Sequence, residues 1–261
     1  MKCVNPLPAA VSLIVLLSGC GEGPPQVGTP TIAPAEDWIT KPSAEWPQMV
    51  LTNEAQFDDR TPLHGASAFL IRTADDRIMA ATAKHLLGEA GGVEPEVKIS
   101  EFDEAIHEWR LYPRTMNEAF VEAEKLGCAE LDSHGNIDWL VLTLKKSERP
   151  LPATPLRLAE RRVQVGETVY LIGCPYSEPD CRQGVYVGKV LDREGDRFRF
   201  DLNPPVALPG FSGAPILDKN GHVVGVMTAG YDDKREGNLY LEAGGEDAAT
   251  VVDLLRQPLK K

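Results

Sequence analysis

Residues 66–85 read ASAFLIRTADDRIMAATAKH. Ala66 to Arg72 and Arg77 to Ala81 are apolar runs of strand length, and Asp75-Asp76 between them is turn chemistry. The stretch ends on His85, just past the second strand and after the small residues Ala81, Thr82 and Ala83. A strand end built of small residues can present an imidazole at the mouth of a cleft. The same grammar continues outward. Ile106 to Tyr112 alternates apolar and polar, as a half-buried strand does. Ile137 to Leu144, Thr168 to Ile172, Gly184 to Leu191, Arg197 to Leu202, Ala214 to Leu217 and Val223 to Thr228 follow. Many short strands with Gly and Pro between them predict an all-β chain of antiparallel sheets closed into barrels. Two segments read as helical: Met116 to Leu126, and a C-terminal stretch with Ala248, Val251, Val252 and Leu255 at i, i+3, i+4 and i+7. No repeat of solenoid period is present.

The 261 residues, 43% of them hydrophobic, suffice for one compact domain or two small ones sharing a core. A net charge of -12 argues against nucleic acid, whose phosphates need a basic footprint. The N-terminus has Lys2, a short apolar run from Val11 to Leu17, then Ser18, Gly19 and Cys20, which describes an export signal too short to span a bilayer. Residues 21–36 are rich in Pro, Gly and Thr and read as an extended tether. Lys145 to Pro155, with three prolines, reads as a linker between two halves. The expected boundaries are therefore 1–19 signal, 20–45 tether, 46–150 first half and 151–261 second half with the terminal helix. Cys174 and Cys181 are close in sequence in an exported chain, so a disulfide is permitted, while Cys128 reads as a small buried hydrophobe.

Three residues carry the chemistry. Ser212 sits in Pro209-Gly210-Phe211-Ser212-Gly213-Ala214-Pro215. A serine hydroxyl needs a base beside it and backbone N–H groups aimed at the oxyanion, and flanking glycines permit such a turn. Of five histidines, His85 is the one at a strand end, whereas His107 lies within a strand and His64, His134 and His222 lie near turns. Asp138 opens the strongly apolar Trp139 to Leu142 and is poised to hold an imidazole in one tautomer. Asp132, in the loop before Gly135, is the weaker competitor.

Taken in order, these segments resemble the trypsin/chymotrypsin superfamily, particularly its bacterial Deg-type and short exported members. Thr82-Ala83-Lys84-His85 is similar to its Thr-Ala-Ala-His segment, Asp138-Trp139-Leu140-Val141-Leu142 to Asp-Leu-Ala-Val-Leu, and Gly210 to Pro215 to Gly-Asn/Asp-Ser-Gly-Gly-Pro. The resemblance spans Trp46 to Gln257. It implies two six-stranded antiparallel β-barrels with a C-terminal helix, and peptide hydrolysis through His85, Asp138 and Ser212 by way of an acyl-enzyme. It further implies an oxyanion hole from the N–H groups of Gly210 and Ser212. Gly230 would pair with the substrate backbone, and Thr228 would support Asp138. Val206 and Ala229 would lie near the primary pocket, where the lack of an acid predicts a preference for small or medium apolar side chains. Phe211 stands where the family carries a polar residue, which rules out zymogen control by an ion pair there. Ala214 replaces a glycine and Lys84 a small residue. After Gln257 the sequence leaves no room for the appended peptide-binding domain of Deg-type proteases.

Leu17-Ser18-Gly19-Cys20 resembles the lipobox of bacterial lipoproteins, which implies cleavage before Cys20, lipidation of its thiol and anchoring in the cell envelope. Gly21 in place of Asp favours the outer membrane, facing the periplasm. An ordinary signal peptide with an incidental cysteine is the other reading. Gly210 to Ala214 also resembles a nucleophile elbow, but that fold needs an acid and then a histidine after the serine, and only His222 follows. The other class of function to weigh is a catalytically silent binding or sensor module on a protease fold. A polypeptide substrate and a membrane lipid are the expected partners. No cofactor is implied, and no His and Cys stand at paired metal-ligand spacing.

Overall fold

The computed structural model describes residues 34–128, 137–231 and 239–256. The signal segment, Cys20, the tether as far as residue 33, Asp132, His134 and the Asp232-Asp233 loop lie outside the described residues.

The first half contains β1 (Val50–Phe57), β2 (Leu63–Arg72), β3 (Ile78–Ala83), the single-turn helix α1 (Phe102–Ala105), β4 (Ile106–Tyr112), β5 (Val121–Leu126) and β6 (Trp139–Leu144). Their order, β1-β4-β5-β6-β3-β2, closes on itself because β2 also pairs with β1. The short β7 (Leu156–Arg157) adds to β2 in parallel at the exit of the linker. The second half holds β8 (Thr168–Gly173), β9 (Gly184–Glu194), β10 (Arg197–Val206), β11 (Pro215–Leu217), β12 (Val223–Tyr231) and β13 (Tyr240–Asp247). These six close as β10-β13-β12-β11-β8-β9, and α2 (Ala249–Leu255) ends the described chain. Both halves are thus six-stranded antiparallel barrels, as the sequence resemblance implied.

Three apolar clusters fill the molecule. One lies in the first barrel and includes Leu70, Ala80, Trp109, Leu140 and Leu142. A second fills the other barrel around Phe200, Phe211, Ile216 and Val224. The third joins Phe69, Ile71, Met79, Trp139 and Val141 of the first half to Leu217, Val223, Val226, Val251 and Leu255 of the second. Alternate residues of β2, β3 and β6 therefore point to two different dry environments, the barrel interior and the seam. This explains why those strands read as continuous apolar runs while β4, wet on one side, alternates. Each large side chain so buried contributes about 1.5–3 kcal/mol.

The expected helix over Met116 to Leu126 is a correction: after a turn, Val121–Leu126 forms β5. Val121 and Ala123 point inward while Glu122 and Glu124 do not, and pairing with β4 and β6 closes the barrel. Tertiary closure overrides the helix propensity of Glu, Ala and Lys. Residues 34–45 contain two short 3₁₀ turns and pack on the second half. The Glu36 N–H bonds the Asn220 carbonyl at 2.8 Å, and Trp38, Trp46 and Tyr170 stack edge to face. Cys174 and Cys181 form a disulfide with Cα atoms 5.8 Å apart. Cys128 is buried and outside it. No helix among the described residues is long and apolar enough to cross a membrane.

Candidate active site

His85 and Asp138 meet where β3 ends and β6 begins. The β3–β6 ladder pairs Ala83 with Trp139, so the residues just beyond it fall side by side. Three hydrogen bonds lock them. Lys84 N–H donates to the Asp138 carbonyl at 2.9 Å, and His85 N–H to Asp138 Oδ1 at 2.8 Å. His85 Nδ1 lies 2.6 Å from Asp138 Oδ2. An ionised carboxylate only accepts, so the proton sits on Nδ1 and Nε2 is left as the basic nitrogen. The two side chains are 25% and 18% exposed, shielded from bulk water yet open to a substrate.

A residue that sequence reading missed stands behind this pair. The Asp138 N–H donates to Glu246 Oε2, and the Trp139 indole N–H donates to the Glu246 carbonyl at 3.3 Å. Glu246, on β13, is only 2% exposed. Burial pushes its carboxyl up to about 7. The bond from Asp138 N–H and the Arg197 charge oppose that rise, and the Asp138 charge adds to it. Nothing in Ala243-Gly244-Gly245-Glu246 sets this acid apart from the other acids of the chain; only the β12–β13 pairing brings it here.

Ser212 arrives from the other barrel, on the loop between β10 and β11. Gly210 has φ +108° and Gly213 φ +83°, conformations that side chains with a Cβ rarely adopt. Phe211, fully buried, anchors the loop by its ring, 5.2 Å edge-on from Tyr186 and against Gly173. This is why an apolar residue serves where the family has a polar one. The first barrel grips the loop. Ser67 N–H donates to the Ser212 carbonyl at 2.8 Å, Ser67 Oγ to the Gly210 carbonyl at 2.7 Å, and Thr82 Oγ1 to the Ser67 carbonyl at 2.7 Å. A Cβ on Gly213 would lie 2.2 Å from the Ser67 oxygen and 3.0 Å from the Ala83 nitrogen. The residue after Ser212 thus touches a residue two before His85. The Pro209 carbonyl accepts from Tyr176 N–H at 2.9 Å, which turns the Gly210 N–H, across the same trans peptide, to the opposite side.

The remaining predicted residues lie at the ends of β10 and β12. Thr228 falls in a β-bulge between Met227 and Ala229, and Asp138 N–H is bonded to Glu246 on the neighbouring strand. Val206 is buried and pairs with Tyr240; Gly230 packs against Leu208 and Tyr240. On its β11 side, β12 is bonded only as far as Met227 among the described residues, so Thr228 to Gly230 present an open edge. His64 and His107 are exposed, and His222 is buried with Nε2 3.1 Å from the Pro34 carbonyl. Among the described residues no three His, Cys, Asp or Glu side chains cluster as metal ligands would.

Paired barrels with an acid–histidine couple on one and a glycine-flanked serine on the other define the trypsin-like class. The chain belongs to the trypsin-like peptidase domain family, whose profile matches residues 66–226. It is 24% identical over 190 residues to a glutamyl endopeptidase of Staphylococcus epidermidis, an alignment covering 69% of this chain and 61% of that protein. It is 27% identical over 114 residues to another glutamyl endopeptidase of that species, covering 41% and 39%. This chain therefore spans less than two thirds of the length of these relatives. Among solved structures it resembles a thermostable serine protease from an extremophilic microorganism (TM-score 0.56, 15% identity, 80% of this chain and 94% of that one). It also resembles a serine endoprotease from Yersinia pestis (TM-score 0.51, 16% identity, 81% and 64%). These structural likenesses concern the fold.

Proposed function

We propose that this family member is an active serine endopeptidase of the cell envelope, with Ser212 as nucleophile, His85 as general base and Asp138 orienting the histidine. The observation that carries the reading is the 2.6 Å contact of His85 Nδ1 with Asp138 Oδ2, which leaves Nε2 as the nitrogen free to accept a proton. Nε2 takes the Ser212 hydroxyl proton as Oγ bonds to the scissile carbonyl carbon. The N–H groups of Gly210 and Ser212 bind the oxyanion. When the tetrahedral centre collapses, the C–N bond breaks and the imidazolium gives its proton to the leaving amine. Water then repeats the sequence on the acyl-enzyme and releases the acid.

The residues before the scissile bond lie along the open edge of Thr228 to Gly230, by strand addition. The primary pocket is assigned to the side chains around Gly230, where Leu208 and Tyr240 approach it, Val206 pairs with Tyr240 and Ala229 precedes it, with no cation among these residues. That composition favours a small or medium apolar side chain, in contrast to the substrate class named for the staphylococcal relatives. Export and lipidation at Cys20 place the enzyme at the outer membrane, facing the periplasm. Mass measurement of the mature N-terminal peptide checks this by the acyl mass on Cys20.

A fluorophosphonate probe tests the chemistry. The wild type is expected to label and Ser212→Ala not to; a folded wild type that stays unlabelled means a silent module on a protease fold. Cleavage of a peptide series varied at the residue before the scissile bond tests the pocket, and dominant cleavage after Arg, Lys or Glu overturns the apolar assignment.

A further inference from the structure

A recess adjoins the Ser212 loop at Gly210. It is a shallow depression against β1 and β2, bordered by Thr52, Ser67, Gly210, Tyr176, Arg114 and Arg182. Gly210 is common to this recess and to the proposed oxyanion hole. On the peptidase reading, a chain that lies along Thr228 to Gly230 before the scissile bond leaves past Gly210, beside this recess, after it.

Its chemistry is cationic. Arg114 is fixed by a bond from Nη1 to the Pro175 carbonyl at 2.8 Å, and its guanidinium stacks 5.4 Å from the Tyr176 ring centre. Arg182 donates from Nε to Gln48 Oε1 at 2.9 Å, a bond that leaves both Nη groups to other partners. Among the described residues neither arginine forms an ion pair with a carboxylate, although Glu178 and Asp180 belong to the same loop. Most arginines among the described residues behave otherwise: Arg60, Arg72, Arg77, Arg161, Arg193 and Arg199 are all paired with acids. In a chain of net charge -12, two guanidiniums without acid partners at the lip of one recess are an exception that a ligand would explain. They are also held in place. Tyr176 lies on the loop closed by Cys174–Cys181 and Arg182 directly follows Cys181, and the Tyr176 hydroxyl accepts from Ala66 N–H at 2.5 Å. Planar guanidiniums with restrained stems are suited to a carboxylate.

We infer that Arg114 and Arg182 form a leaving-side subsite that selects substrates carrying a carboxylate within two residues after the scissile bond. This rests on the peptidase reading above. The test uses the best-cleaved peptide of the series, blocked at both ends, with Glu or Gln at the first or second position after the cut. A shorter version ends there in a free carboxylate and separates a terminal from a side-chain source. The full-length wild type is expected to show a kcat/KM ratio, Glu over Gln, of about 10 at one of the two positions. The ratio is expected to fall with added salt and to collapse to about 1 in Arg114→Gln/Arg182→Gln. Because the ratio is taken within each protein, it is insensitive to the fraction of active enzyme. A ratio near 1 in a wild type that cuts both peptides, or a ratio that survives in the double variant, overturns the subsite while leaving the peptidase reading intact. A preference confined to the short peptide assigns the recess to chain termini and overturns the side-chain form. Failure to cut any peptide of the starting series removes the peptidase reading and the subsite with it, whereas loss of cleavage with both Glu and Gln in a peptide otherwise cut overturns the subsite alone.

Discussion

The two barrels hold their parts of the site by different means. Asp138 and His85, on the first barrel, are fixed by side-chain hydrogen bonds: the Asp138 carboxylate accepts from the His85 backbone and ring, and Glu246, reaching across from the second barrel, takes the Asp138 N–H. The second barrel fixes Ser212 with backbone shape, through two left-handed glycines and a buried phenylalanine. Chemical substitutions that keep shape should therefore damage the first barrel's contribution through reactivity. Steric substitutions should damage the second barrel's contribution through folding.

Asp138→Asn is the sharpest probe of the first mode. It keeps volume but offers the imidazole a donor as well as an acceptor, so the tautomer is no longer dictated. A loss in kcat of about 10⁴ is expected with little change in Tm; a large Tm drop with modest kinetic loss would instead make Asp138 a structural residue. Gly213→Ala probes the second mode. Its methyl meets the Ser67 oxygen and Thr82 Oγ1 in a conformation unfavourable to alanine, so about 3–4 kcal/mol of stability should be lost in denaturant melts. A wild-type melt for this variant would mean that the two barrels adjust freely at their seam.

Glu246→Gln gives the smallest and most conditional effect. A carboxyl held at about 7 instead of its ordinary 4.5 is a stabilising proton site at low pH. Its contribution is fully present below about 4.5 and is lost as pH rises through about 7, a change of about 3 kcal/mol. The glutamine keeps an acceptor for Asp138 N–H and does not ionise. The variant should therefore gain on wild type in urea stability between pH 5 and pH 8. A pH-independent difference would show that Glu246 carries no such shift.

Legibility in the sequence followed burial. β2, β3 and β6 were readable because both of their faces are dry, and His85 and Asp138 were readable because they terminate two of those strands. β1 was not, since Asn53, Glu54 and Gln56 interrupt its apolar pattern; Asn53 is buried and accepts from the Trp109 indole N–H at 3.2 Å. β13 was hidden for a related reason. Its Gly244 and Gly245 leave room for Tyr231, Ile216 and Phe198, so the apolar atoms that bury this strand come from its neighbours. Glu246 was invisible with it. The arginine-lined recess needed coordinates as well, because Arg114 and Arg182 are brought together only by a loop folding back from the second barrel onto the first.

The close approach at Gly213 has one more consequence. Ser67, Thr82 and Ala83 belong to one barrel and Gly213 to the other, so the nucleophile is seated only when the halves have closed on each other. On the peptidase reading proposed above, a chain with one half collapsed and the other open is an unarmed hydrolase, and its neighbours are spared until the last packing step is complete.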